Sequence, residues 1–287
     1  MAIIWELDFY SRPIVDENKK KIWEILVCES PLDILRQPES LFRFSQFCPG
    51  SQVNSVTLQN ALHEAIAQAP QPPEKIRFFR RQMTKMITKA CNEIGIPVQA
   101  SRRTFALNQW IQQRNQEVYP QHPGFAPLTN PSVQFEAVIP QPLPDALIGQ
   151  QWAFVTLEAN AFQEMPEWTI DFNEAFPLQL IGLSPETQVP GLVIFSPRAK
   201  ALAAWMSGLE LVFLKFERQP SPQLLLETGA SDRWILAKLP NAQTQAEAES
   251  FETTKQKAQQ VHFLAIQSDP QAEAFAGFWL LQEVNLS

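Results

Sequence analysis

Glycine is scarce in this chain, with nine in 287 residues. No GxxxxGK[ST], GxGxxG or GxSxG pattern occurs. That excludes a phosphate-cradling loop, a dinucleotide fingerprint and a nucleophile elbow. Cysteine is rarer still: Cys28, Cys48 and Cys91 are the only three. An odd count without CxxC spacing argues against a disulfide framework and a structural zinc. The three histidines, His63, His122 and His262, lack metal-ligand spacing. No apolar run nears the roughly 18 residues of a membrane span. The longest candidates, Gly191–Phe195 and Leu209–Phe216, have strand length. The first residues, MAIIWELDFY, show no basic n-region and no small-residue cleavage site. Nor do they read as an Arg/Ser-rich transit peptide, so the chain is expected to work in the compartment where it is made, the cytoplasm.

What is present is apolar and aromatic. The chain is 45% hydrophobic, with 20 Phe, 8 Trp, only 2 Tyr, and 24 Pro. That supplies real cores, and at roughly 150 residues per domain the length suggests two. The net charge is -7 and the pI about 5.1, which argues against a simple nucleic-acid coating protein. The charge is segregated, however. Residues 75–114 hold Lys75, Arg77, Arg80, Arg81, Lys85, Lys89, Arg102, Arg103 and Arg114 against Glu93 alone, a local +8, so the remainder carries -15. Local potential is what a polyanion meets first.

Residues 1–120 read as one α/β unit. Ile3, Trp5, Leu7 and Phe9 alternate with Glu6 and Asp8, the pattern of a half-buried strand. Strands are also expected over Lys21–Cys28, Leu41–Phe47, Lys75–Arg80 and Val98–Phe105. Helices are expected from Thr57, over Gln82–Ile94 and over Ala106–Val118, with Ser55 or Thr57 as N-cap of the first and Gly95 closing the second. The order β-β-β-α-β-α-β-α suggests a mixed sheet with helices on its faces and resembles the ribonuclease-H-like arrangement. Seven prolines fall between Pro120 and Pro144, so residues 121–145 are expected to be a semi-rigid connector outside helix and sheet interiors. The second unit, residues 146–287, reads as α+β. It carries two possible tandem β-α-β-β units, one over Leu192–Glu227 and one over Arg233–Gln282, with Pro197 expected at N1 of the first helix.

Three constellations could carry chemistry. Asp8 lies mid-strand where a ribonuclease-H-like nuclease would place its first metal-binding carboxylate, with Glu24 and Glu64 available for others. KIRFFR is basic where a further acid would help, and Glu6 and Asp8 also read as the wet face of the first strand or as partners of Arg or Lys on a neighbour. In the basic segment, Lys75, Arg77, Arg80 and Arg81 mark a strand and its exit, Lys85 and Lys89 share one helix face, and Arg102 and Arg103 lie in the next strand. Cations gathered on one exposed surface would release counterions from a nucleic-acid backbone. Phe78, Phe79 and Phe105 would stack on unpaired bases if exposed. A protein-docking patch and plain solvated charge are the alternatives. Finally, FAGFWLLQEV holds Trp279, Leu280 and Leu281 in either a buried closing strand or a partner-docking strand.

Several long motifs occur in order: WELDFYSRPI (Trp5–Ile14), KKIWEILVCE (Lys20–Glu29), KIRFFRRQMTKMITKACNEIGIPVQASRRTFAL (Lys75–Leu107), RWILAKL (Arg233–Leu239) and GFWLLQ (Gly277–Gln282). With these the chain resembles the Tab/Atab proteins of cyanobacteria and chloroplasts. The resemblance implies a non-catalytic protein without cofactor or metal that binds A/U-rich single-stranded RNA. It further implies activation of photosystem translation, and biogenesis of photosystem I with an extension to photosystem II, in a cyanobacterial setting. Partners would include translation or photosystem assembly proteins, without stable membrane insertion and at most peripheral to thylakoids. The alternatives are an assembly factor that binds only protein and a metal-dependent nuclease centred on Asp8.

Overall fold

The computed structural model describes residues 2–127, 138–144 and 151–284. Contacts gather the chain into two units. One comprises residues 1–31, 39–134 and 285–287; the other comprises 32–38 and 135–284. Residues 32–38 join the second unit through the Ala175 N–H, which donates to the Leu32 carbonyl at 3.4 Å. The expected connector, 121–145, lies partly outside the described residues.

The first unit is built on a five-stranded sheet of order β3-β2-β1-β4-β5. The strands are β1 (Ile4–Val15), β2 (Lys21–Glu29), β3 (Arg43–Pro49), β4 (Lys75–Phe78) and β5 (Val98–Ala100). The first three form antiparallel pairs, while β4 runs parallel to β1 and β5 parallel to β4. Three helices follow β3, β4 and β5 in turn: α1 (Ser55–Gln68), α2 (Thr84–Glu93) and α3 (Phe105–Glu117). This is the mixed, ribonuclease-H-like order expected from the element sequence.

Strand alternation divides the two sheet faces. Trp5, Leu7 and Phe9 pack with Leu58, Leu62 and Ala65 of α1 and Ile87 and Ala90 of α2. Glu6 and Asp8 point to the face that α3 covers, and both are buried. Of the two readings of these acids, the wet strand face gives way to the paired one: the layer is buried, and Asp8 pairs with Arg80 beyond the end of the neighbouring strand.

Local chemistry moves several boundaries. Asn54, rather than Ser55 or Thr57, caps α1, accepting the Thr57 N–H at 2.9 Å. Strand β5 stops at Ala100, so Arg102 and Arg103 stand in a turn and not in a strand. There the Ser101 hydroxyl accepts the Arg103 N–H at 3.0 Å, a local bond that competes with the ladder. Gly95, at φ +72°, closes α2 as expected of a left-handed terminal position. Beyond α3 the chain makes a 3-10 turn at Tyr119–Gln121 and pairs with the end of β1 through Val15 N–H to Gly124 O and Ala126 N–H to Pro13 O. A Cβ on Gly124 would fall 2.0 Å from the Val15 carbonyl oxygen, so this approach requires glycine.

The second unit has two sheets. One, of order β7-β9-β13-β14-β8, comprises Gln151–Glu158, Gln188–Phe195, Val261–Gln267, Phe275–Gln282 and Ile170–Glu174 in that spatial order. The other, β10-β11-β12-β6, comprises Leu211–Glu217, Gln223–Thr228, Asp232–Lys238 and Gln141–Pro142. Helices α4 (Ala199–Ser207) and α5 (Ala242–Lys257) complete it. Leu202 and Met206 of α4, Phe251 of α5, Leu214 and Leu224 share one core with Leu264, Trp279 and Leu281. On the opposite face of the five-stranded sheet, Phe162, Phe263 and Phe278 form an aromatic cluster, with Phe263 stacked on Phe278 at 5.1 Å.

Both β-α-β-β orders occur, and they divide between the sheets reciprocally. The first sends β9 to the five-stranded sheet and the β10–β11 hairpin to the four-stranded one. The second sends β12 to the four-stranded sheet and the β13–β14 hairpin to the five-stranded one. Pro197 lies outside α4, whose N-cap is Arg198. Pro142, expected in the connector, pairs within the short terminal strand β6 against Ile235. Proline is tolerated there because a terminal strand has no neighbour on its outer side.

Candidate nucleic-acid interface

The eight expected cations do not share one exposed face. Arg81, Lys85 and Lys89 are exposed and Lys75 is half-buried, whereas Arg77, Arg80, Arg102 and Arg103 are buried. Alternation along β4 puts Arg77 on the α3 side, beside Glu6. Arg80 follows the strand end and turns inward to Asp8. Lys85 and Lys89 project from α2, whose inner side packs Ile87 and Ala90 into the core. Lys89 makes only a loose contact with Glu93 at 4.0 Å, both well exposed, the kind of pair worth little. The aromatics expected near this segment, Phe78, Phe79 and Phe105, are buried and offer no open face to a base.

Arg77, Arg80 and Arg103 belong to a charge layer between the sheet and α3. Arg80 Nε donates to Asp8 Oδ1 at 2.6 Å, and its guanidinium lies 3.7 Å from the Tyr10 ring centroid. Arg12 bridges two acids, Asp8 and Glu24, at 3.0 Å each. Glu24 also pairs with Arg114 of α3 and accepts the Tyr119 hydroxyl at 2.6 Å. Burial alone would raise the Asp8 pKa; the Arg80 and Arg12 guanidiniums outweigh it and hold Asp8 below its ordinary value. Glu6 shows the opposite balance. Desolvation pushes it up to about 7, against the lowering effects of the Ser30 hydroxyl, the Leu107 N–H, Arg77 and Arg103.

This geometry bears on the nuclease alternative. Both Asp8 oxygens are engaged by guanidiniums, and Glu24 is tied to Arg12, Arg114 and Tyr119. Glu64 is exposed on α1, on the other side of the sheet, bonded to Gln68. The three carboxylates are not convergent. No cluster of three His, Cys, Asp or Glu suited to a metal occurs among the described residues. The cysteines are buried and unpaired, with burial pushing the Cys91 thiol up to about 12.

The partner-docking strand expected at Trp279, Leu280 and Leu281 is instead an interior one. Strand β14 is bonded on both edges, to β13 and β8, and the three side chains are buried. A strand paired on both edges cannot accept another. The sequence reading missed Arg12, Tyr119 and the second role of Arg114. The signal for Arg12 was its alternation with Glu6 and Asp8 along β1; Arg114 on α3 and Tyr119 in the turn beyond it carried none.

Comparison with known proteins agrees with the motif blocks. Residues 4–114 match the family model "RNA-binding protein Tab2/Atab2 N terminal", and residues 130–282 match "RNA-binding protein Tab2/Atab2, C-terminal domain". A chloroplastic TAB2 homologue of Zea mays is 38% identical over 98% of this chain and 71% of its own length. One of Arabidopsis thaliana is 39% identical over 96% of this chain and 74% of its own. Among solved structures, a chain of a simian T-cell lymphotropic virus intasome complexed with PP2A regulatory subunit B56 gamma aligns with 42% of this chain and 43% of its own. Its 12% identity and TM-score of 0.28 carry no argument. With both halves matched and relatives aligned along nearly the whole of this chain, the chain belongs to the Tab2/Atab2 family of RNA-binding proteins.

Proposed function

We propose that this protein is a non-catalytic binder of A/U-rich single-stranded RNA that activates translation in the biogenesis of photosystem I, and of photosystem II as a secondary role. The observation that carries this reading is the family match over both halves of the chain. The photosystem role follows the Tab/Atab resemblance, and the names of the chloroplastic relatives support it. Protein partners would be translation or assembly factors. The site of action would be the cytoplasm of a photosynthetic cell, at most peripheral to thylakoids; no helix among the described residues is long and apolar enough to cross a membrane.

The backbone contact in this reading falls to Arg81, Lys85 and Lys89, because these are exposed, with half-buried Lys75 at the start of β4 a lesser contributor. The buried Arg77, Arg80, Arg102 and Arg103 would shape the layer beneath rather than grip phosphate first. Filter binding of an A/U-rich oligonucleotide at about 50 mM and about 200 mM salt tests it. Affinity should fall steeply with salt. Arg81→Ala/Lys85→Ala/Lys89→Ala should weaken binding and flatten the log-log salt slope by about 2, at about 0.7 per lost single-strand contact. Absence of binding at the lower salt rejects the reading.

A further inference from the structure

The edge strand β3 and helix α3 hold a row of alternating cations and aromatic rings. The registers Glu24↔Phe47, Leu26↔Ser45 and Cys28↔Arg43 put Arg43, Ser45 and Phe47 on the α3 side of the sheet. The intervening Phe44 and Cys48 enter the core on the other side. Facing them on α3 are Trp110 and Arg114, one turn apart. The Arg43 guanidinium lies 5.5 Å from the Trp110 ring, and Arg114 lies 5.4 Å from the same ring. Arg114 in turn lies 5.8 Å from the Phe47 ring, and Phe47 meets His122 edge-on at 5.9 Å. The row is thus Arg43, Trp110, Arg114, Phe47, His122, all within the first unit.

Its members differ in what remains available. Trp110 is buried, and the charge of Arg114 is taken by Glu24. Arg43 is exposed, and no carboxylate among the described residues forms an ion pair with it. Phe47 is 40% exposed, whereas Phe44, the other aromatic ring of the strand, is buried. Phe125, 38% exposed, follows on the segment that continues from His122. An apolar ring left in water beside a cation is costly unless something covers it, and a lone side chain of this kind is no argument by itself. The ordered alternation is more specific. A flat apolar face with a positive group alongside matches a nucleotide, whose base is a flat ring and whose linkage is anionic.

We propose that this row is a stacking site for single-stranded RNA. An unpaired base lies on Phe47, and Arg43, four residues away along β3 or about 13 Å at about 3.3 Å per residue, holds a phosphate farther along the same strand of RNA. The inference rests on the RNA-binding reading and deepens it by assigning base contact to the β3–α3 edge, apart from the cationic edge of α2. Stacking on a ring tolerates any base, so the site contributes affinity with little sequence preference.

The test uses the full chain and an oligonucleotide carrying 2-aminopurine, whose fluorescence is quenched on stacking. Wild-type protein should quench it. Phe47→Ala should abolish quenching and weaken binding by about fivefold or more, the lower range of a lost base–aromatic stack, with the salt slope unchanged. Phe47→Trp should retain both. Arg43→Ala, at an exposed position that does not threaten folding, should weaken binding and reduce the salt slope by about 0.7. Thermal melting checks that each variant is folded. Wild-type affinity and quenching in folded Phe47→Ala, or an unchanged salt slope in Arg43→Ala, overturns the proposal. If the Arg81/Lys85/Lys89 variant loses binding while the Phe47 and Arg43 variants do not, this site alone fails. If wild-type protein binds no RNA, the underlying reading fails with it.

Discussion

The carboxylate of Glu6 accepts the backbone N–H of Leu107 at 2.7 Å, joining the first strand to a helix 101 residues later. Leu107 is the third residue of α3, and the N-cap Thr104 makes no capping bond with its own side chain. A strand side chain therefore does the work of a helix cap. The same carboxylate accepts the Ser30 hydroxyl at 2.7 Å.

Glu6 should make the first unit less stable as pH rises. Its pKa goes from 4.5 in an open environment to about 7 in the fold. Between those values the native state holds the extra proton, so stability is full below 4.5 and declines towards pH 7. The whole window is worth on the order of 3 kcal/mol, at about 1.4 kcal/mol per unit. Hydrogen exchange of the α3 amides reports this unit alone. Protection should fall between pH 5 and pH 7, and Glu6→Gln, which keeps an acceptor for Leu107, should remove that decline.

Asp8 should be structural. Removing it in Asp8→Ala leaves Arg80 and Arg12 buried without their shared carboxylate, a loss of about 3–5 kcal/mol. Denaturant titration measures it, and a change below about 1 kcal/mol would contradict a buried pair. RNA incubated with the wild-type protein and magnesium should stay intact. Cleavage abolished by Asp8→Ala would restore the nuclease alternative.

His262 should give the second unit the opposite pH response. Its Nε2 accepts the Leu214 N–H at 2.8 Å and its Nδ1–H faces the Gln260 carbonyl at 2.9 Å, so the ring is neutral. Burial, with the Lys255 ammonium nearby, holds its pKa well below 6.5. Below pH 6.5 the unfolded chain gains a proton that the native state refuses, so stability falls with acid by up to about 1.4 kcal/mol per pH unit. Protection factors of the β10 and β13 amides, measured against the intrinsic exchange rate at each pH, should fall from pH 7 to pH 5. His262→Gln should flatten that response.

Gly191 should tolerate no methyl group. A Cβ there would lie 2.3 Å from the buried Phe263 ring on the neighbouring strand. Gly191→Ala should cost about 1–3 kcal/mol by overpacking. Phe263→Leu should make the second substitution less harmful, and a double-mutant cycle on denaturation free energies measures the coupling. Additive effects would contradict the contact.

The α+β class and the order of elements were legible because they rest on short-range patterns. Strand alternation in Trp5, Leu7 and Phe9, helical spacing in Leu58, Leu62 and Ala65, and Gly95 after α2 each declare themselves within a dozen residues. Boundaries were less legible where a side chain bonds the backbone of a near neighbour, as the Ser101 hydroxyl does in accepting the Arg103 N–H just past β5. The candidate site was legible only in composition. Its cations were visible, but a charged residue facing solvent and one facing a buried partner have the same spacing along a strand.

Sequence by itself determined the segregation of charge, the two apolar cores and the strand and helix periods, because each is a property of neighbouring residues. Tertiary structure decided which cations remain exposed. That depends on Asp8 and Glu24 meeting Arg80, Arg12 and Arg114 across distant segments, and on α3 covering them. It also set Phe47 in a row with Arg43, Trp110 and Arg114. Burial and pairing are long-range properties, fixed by which sheet face a helix covers and not by the residues beside each charge.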